Sequence, residues 1–242
     1  MKFKKLTTLL VTVILLMIPG LASASAGETI VLHAAGDVTN TLFSWPMLLL
    51  IGGGALSGGL SKIDKDVQSH FTHSHLGKID SIIDDAGPAY ILDPAAAAVW
   101  GIGKLIKDDD VAFTGENLFE ALIFTQALTA WTKLVADRQR PNGGKWGFPS
   151  DHTAEAFSVA TVLAALHGPY AGVPAYLIAG FVGFSRIDSN AHYLSDVVMG
   201  AVIGTAVGWG VTRFHKKERA SRFTVLPMAT NRTLGVSLFY SF

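Results

Sequence analysis

Apolar residues gather in six stretches, near 42–60, 90–106, 118–136, 153–167, 174–185 and 193–213, separated by short polar or Gly/Pro turns. Each stretch reads as a helix, and the turns carry helix punctuation. Ser150 or Asp151 can cap a helix entered at Thr153, Gly168-Pro169 ends it, and Pro174 suits the first turn of the next. The expected fold class is all-α, a helical bundle of five to six apolar helices. Beyond Arg222 the period changes. Leu234, Val236, Leu238, Tyr240 and Phe242 alternate with Gly235, Ser237, Phe239 and Ser241, the period of a strand. Paired with Phe223–Leu226 across a turn at 230–233, that strand makes a short C-terminal β-hairpin, residues 222–242. One hairpin cannot close a barrel, so it is expected to pack as a cap on the bundle.

The first 26 residues follow a different plan. Lys2, Lys4 and Lys5 precede an apolar run from Leu9 to Ile18, then Pro19-Gly20 and small residues. Ala22-Ser23-Ala24 and Ala24-Ser25-Ala26 fit small-x-small cleavage, so residues 1–26 read as a signal peptide. That leaves 27–221 as one helical domain before the hairpin tail.

Composition sharpens the picture. Of 242 residues, 50% are apolar and only 16% charged, against about 25% in ordinary soluble domains. Basic and acidic residues balance at 19 each, which gives no electrostatic footprint for nucleic acid. The absence of cysteine removes disulfides, thiolate nucleophiles and cysteine-held metals. Helix length alone separates a membrane from a buried bundle poorly: the uncharged run Val197–Thr212 spans about 24 Å, against a hydrocarbon core of about 30 Å. Topology adds a criterion. With 42–60 left out, five spans place the loops holding Arg140, His152 and His192 outside and the basic run His215–Arg219 inside, as the positive-inside tendency favours. Attachment to the inner membrane with a periplasm-facing site is the expected localisation.

Three polar clusters interrupt the apolar stretches. In the first, Lys133 and Arg140 lie two helical turns apart and share a face if the helix continues that far; Pro141 marks the end of the element. Such cations serve equally as helix-dipole partners. The second, Gly147-Phe-Pro-Ser150-Asp151-His152-Thr153, precedes a helix whose first-turn N–H groups can receive a phosphate oxygen, although Ser150 or Asp151 also fits a plain N-cap. The third runs from Ser185-Arg186 to His192 and Asp196. Spacing of four brings His192 and Asp196 together, and a carboxylate on one imidazole nitrogen leaves the other free as base or nucleophile. A buried, satisfied histidine is the plainer use of the same pair.

Taken in order, Lys-x6-Arg-Pro, Pro-Ser-x-His and Ser-Arg-x5-His-x3-Asp, spanning 133–196, resemble the motifs of the type 2 phosphatidic acid phosphatase and vanadium haloperoxidase superfamily. The departure is Asp151, where the family's commonest pattern has Gly; a carboxylate there repels phosphate unless it turns away or pairs with a base. The resemblance implies a phosphatase acting on a lipid phosphate, a phosphomonoester or diphosphate. Lys133, Arg140 and Arg186 would hold the phosphate oxygens, with Ser150, the first-turn amides and position 151 completing the cradle. His192 would be the nucleophile that forms a phosphohistidine, Asp196 its orienting partner, and His152 the acid and later the base. Three cations take the place of a metal, so neither metal nor cofactor is expected. The expected partners are the lipid substrate and the membrane. Three other readings remain at this level: a soluble exported acid phosphatase, a vanadium haloperoxidase, and a silent phosphate-binding envelope protein. His70, His73 and His75 beside Asp64 and Asp66 read as loop residues rather than as a metal site.

Overall fold

The computed structural model describes residues 45–71, 74–85, 88–221, 223–230 and 233–240. The expected signal peptide lies outside them. Eight helices are present among the described residues. They are α1 (Trp45–Leu60), α2 (Asp64–Ser69), α3 (Lys78–Asp85), α4 (Pro88–Ile106), α5 (Asp109–Ala136), α6 (Asp151–His167), α7 (Pro169–Asp188) and α8 (Leu194–Ser221).

The six apolar stretches correspond to α1, α4, α5, α6, α7 and α8. The expected count of five to six therefore falls short by α2 and α3, which are short and carry their acidic residues without a long apolar run. Two boundaries also move for local reasons. The α5 helix begins well before residue 118 because the Asp108 side chain accepts hydrogen bonds from the amides of Asp110 and Val111 and caps it there. In α7 the first-turn proline is Pro169, and Pro174 lies inside the helix.

The core sits where α5, α6 and α8 meet, with Ala121, Phe124 and Leu128 facing Val162 and Ile203, Val207 and Val211. Close approach of α6 and α8 depends on Gly200, Gly204 and Gly208, spaced four apart on one face of α8. A Cβ at Gly204 would fall on the Ala154 carbonyl oxygen, and one at Gly208 would meet the Ser158 carbonyl. The α1 helix packs on α8 as well. Ser57 of α1 donates to the carbonyl of Ser195 at 2.9 Å, fastening it to the site-bearing end of α8.

At the C-terminus the backbone forms β1 (Phe223–Thr230) and β2 (Thr233–Tyr240), antiparallel with Phe223 opposite Tyr240 and Thr230 opposite Thr233. Besides pairing with β2, β1 contacts the end of α8. The body of the fold is helical.

One helix among the described residues, Leu194–Ala220, is long and apolar enough to cross a membrane. The apolar surface is wider than that helix. Along α7, Tyr170, Val173, Leu177, Phe181 and Phe184 recur at helical spacing and all are exposed.

Candidate functional site

Helix ends create the site. The α5 helix stops at Ala136, and Asp137 takes a left-handed conformation, φ 40°. Lys133 therefore remains on helix while Arg140 lies in the loop, so the helix does not continue far enough for the two to share a face. The chain folds back instead. The Arg140 amide donates to the Gly144 carbonyl at 2.8 Å, and the Gly147 amide to the Arg138 carbonyl at 2.6 Å. That fold carries Phe148-Pro149-Ser150 to the start of α6, where Ser150 occupies the N-cap position without a side-chain capping bond. Its hydroxyl accepts from Thr153 at 3.0 Å and its amide donates to the Asp196 carbonyl, also at 3.0 Å, which locks α6 to α8. The first helical hydrogen bond runs from Ala154 to Ser150, so the amides of 151–153 belong to the open first turn.

His192 lies in the turn between α7 and α8, nearly fully buried, its amide held by the Arg186 carbonyl at 3.0 Å. Its Nδ1 is 2.6 Å from the Gly147 carbonyl oxygen. A carbonyl can only accept, so Nδ1 carries the proton and Nε2 keeps its lone pair. The expected partner, Asp196, is 3.7 Å from Nδ1, outside hydrogen-bond reach. Its oxygens serve others. Oδ1 accepts from Arg138 at 2.6 Å and Oδ2 from the Tyr193 amide at 2.9 Å. Asp196 thus shapes the turn around His192, and the Gly147 carbonyl fixes the tautomer. Burial lowers the His192 pKa below the ordinary 6.5; Arg140 pushes the same way, while Asp196 and Asp151 oppose it.

Nε2 of His192 faces Asp151. The Asp151 Oδ1 atom is 3.9 Å from it, 3.7 Å from Nδ1 of His152 and 3.1 Å from Nζ of Lys133. Lys133, expected to wait for a phosphate, is thus ion-paired in the resting site. Burial alone would raise the Asp151 pKa; the contact with His152 and the charges of Lys133, His152 and His192 outweigh it and hold the carboxyl below its usual range. Arg186 is fully buried at the end of α7, and its Nη1 donates to Asp84 of α3. Its Nη2 donates to the Ser185 hydroxyl at 3.0 Å. Of the three cations expected to hold phosphate, Lys133 and Arg186 each contact a carboxylate here. Among the described residues, three buried atoms here have no hydrogen-bond partner: Asp151 Oδ1, His152 Nε2 and Arg186 Nε.

Four charged side chains that tie the elements of the site together escape a motif search. Arg138 bridges two buried carboxylates, Asp64 at 2.7 Å and Asp196 at 2.6 Å, and stacks over the Tyr193 ring at 4.5 Å. Asp64 in turn accepts from the amide and hydroxyl of Ser195. Asp80 accepts from the hydroxyls of Ser185 and Ser74, and with Asp84 it ties α3 to the end of α7. Arg138 sits between Lys133 and Arg140, so its charge was visible, but its partners lie far away in sequence. His75 is taken up by Asp188 at 2.7 Å, and His70 by the Asp66 carbonyl at 2.8 Å; His73 lies outside the described residues.

Comparison with known proteins bears on this arrangement. Residues 142–220 match the sequence model of the PAP2 superfamily. A lipid A 1-phosphatase of Porphyromonas gingivalis is 44% identical over 75 residues, 29% of this chain. The chain covers only 17% of that relative's length. Crystal structures of two proteins share the fold. LpxE of Aquifex aeolicus has a TM-score of 0.51 at 23% identity, over 62% of this chain and 95% of that one. The transmembrane PAP2 type phosphatidylglycerolphosphate phosphatase of Bacillus subtilis has a TM-score of 0.55 at 22% identity, over 75% and 96%. Lys133 and Arg140 precede the matched segment, whereas His152, Arg186, His192 and Asp196 fall inside it. The segment that matches the PAP2 superfamily model, residues 142–220, holds the buried histidine and the first turn it faces.

Proposed function

We propose that this protein is a phosphatase that hydrolyses a phosphomonoester or diphosphate of a membrane lipid through a phosphohistidine on His192. One observation carries the reading: Nδ1 of His192 is committed to the Gly147 carbonyl, which leaves the Nε2 lone pair 3.9 Å from Asp151 Oδ1 in the first turn of α6, an atom that Lys133 and His152 also approach. The Nε2 lone pair attacks phosphorus and the bond to the leaving oxygen breaks. His152 gives that oxygen its proton, using the Nε2 that has no other partner. Water then attacks the phosphohistidine, His152 takes its proton, and phosphate departs with His192 restored. Lys133, Arg140 and Arg186 stabilise the charge on the phosphoryl oxygens, and Ser150 and the first-turn amides complete the cradle.

A lipid as substrate is supported by the names of the relatives and by the exposed apolar face of α7. A contiguous stripe of large apolar side chains is disfavoured on a water-soluble surface. The same stripe argues against the soluble acid phosphatase alternative. The proposed organisation is a signal peptide at 1–26, a helical domain at 27–221 in the inner membrane with its site facing the periplasm, and the tail at 222–242.

The test is phosphate release by purified protein and its His192→Ala variant on phosphatidate, phosphatidylglycerophosphate, polyprenyl diphosphate, lipid A and an aryl phosphate, with chelator present. Activity on at least one lipid, lost in the variant, is expected; full activity of the variant on every substrate would overturn the nucleophile assignment.

A further inference from the structure

Two of the cations assigned to phosphate are held by carboxylates from different elements. Asp151 lies at the mouth of α6 with Oδ1 buried, within ion-pair distance of Lys133 and close to both histidines, yet without a hydrogen bond. Asp84 comes from α3 and reaches the buried guanidinium of Arg186, whose Nε is left empty. Both carboxylates have room to leave. Asp151 is about one-third exposed and Asp84 nearly half exposed, so each borders solvent. Asp80, one turn before Asp84, is buried and bonded to Ser185, and Asp188 accepts from the amides of His75 and Leu76. These contacts anchor α3 at its beginning and leave Asp84 free to change rotamer without undocking the helix.

An ionised carboxylate and a phosphoryl group present the same thing to Lys or Arg: paired anionic oxygens on a planar or tetrahedral centre. We propose that Asp84 and Asp151 are internal stand-ins for the substrate phosphate, neutralising Arg186 and Lys133 at rest, and that a substrate binds by displacing both carboxylates. This inference rests on the phosphatase reading and deepens it by assigning the residues that select its substrate class. A phosphate monoester or terminal diphosphate carries enough negative charge to compete for two occupied cations; a singly charged phosphodiester does not. The two residues are specificity-determining: they filter by charge without touching the bond that breaks. Asp151 also acquires a use here, since the glycine of the resembled motif has no charge to displace.

Binding can be measured apart from turnover. Calorimetric titration of the full-length His192→Ala protein with inorganic phosphate, methyl phosphate and dimethyl phosphate is compared with the same protein carrying Asp151→Gly, Asp84→Asn, Asp84→Glu or the surface control Asp66→Asn. Asp151→Gly and Asp84→Asn should each tighten phosphate and methyl phosphate by about tenfold or more, the scale of one charge-assisted contact. Asp84→Glu, which keeps the charge, should bind like the parent, as should Asp66→Asn. With His192 present, KM for the dianionic substrate should fall in Asp151→Gly by more than kcat changes. Asp84→Asn leaves a buried guanidinium under-compensated, so Asp151→Gly decides the matter if that variant fails to fold. Phosphate affinity unchanged or weakened in Asp151→Gly, or tightened equally in Asp66→Asn, overturns the inference. If no variant nor the parent binds phosphate at all, the phosphatase reading itself falls.

Discussion

Replacing Arg138 with Met isolates the most connected side chain that the motifs do not name. Arg138 donates to Asp64 and Asp196, whose side chains are 2% and 0% exposed, and to the Ser195 hydroxyl at 2.7 Å. Removing it strands two buried carboxylates. Breaking one buried pair typically costs about 3–5 kcal/mol, because the remaining charge is left without compensation. Asp64 keeps bonds from Ser195, and Asp196 keeps the Tyr193 amide, so the expected loss stays near that range rather than doubling. For a chain of this size it corresponds to a fall of roughly 6–20 °C in Tm. Thermal unfolding in detergent measures it, with Arg138→Met/Asp64→Asn as the second variant. The double variant should regain part of the loss, because one of the stranded charges is gone. Catalysis should fail in parallel, since Asp196 and Tyr193 hold the turn that presents His192. A loss below about 1 kcal/mol with normal activity would refute the claim that this guanidinium holds α2, α8 and the site together.

Gly204→Ala should destabilise the protein by roughly 1–3 kcal/mol, because the added methyl meets the Ala154 carbonyl across the α6–α8 contact. Gly180→Ala, with open space around it, should be neutral or stabilising by about 0.5–1 kcal/mol; equal effects at both positions in thermal unfolding would dismiss the close-packing argument. The lowered pKa of His192 predicts that it stays neutral below its ordinary 6.5, so the acid limb of a kcat/KM profile should lie below that value. The stability sign follows: the unfolded chain binds the proton first, so this contribution is complete above pH 6.5 and is lost as pH falls toward the folded pKa. An acid limb at or above 6.5 contradicts the buried neutral assignment. Vanadate should inhibit competitively by adopting the trigonal-bipyramidal geometry of transfer; no inhibition at millimolar concentration would count against phosphoryl transfer.

Apolar periodicity located α1 and α4 to α8, since long runs of uncharged residues between Gly/Pro turns admit few other readings. It passed over α2 and α3, whose short sequences, with Asp64, Asp66, Asp80 and Asp84, look like polar linker and become helical by docking on the ends of α7 and α8. Within the site, His192, His152, Lys133 and Asp151 were legible as motif positions, and the structure brings the first three each within 4 Å of Asp151 Oδ1. Their partners were not. Four-residue spacing pointed His192 at Asp196, but the ring takes a backbone carbonyl from a loop that folds back after α5, and a carbonyl has no signature in sequence. Arg138 and Asp84 act on residues more than fifty positions away, beyond the reach of local spacing.

The account's central claim is that His192 Nε2 forms a bond to phosphorus, and a trapped intermediate tests it most directly. Protein mixed with a radiolabelled lipid phosphate and quenched in alkali within milliseconds should carry acid-labile, alkali-stable label on the peptide containing His192, more of it in His152→Ala, where water attack loses its base. The same label on another residue, or no label alongside full turnover, would contradict the account.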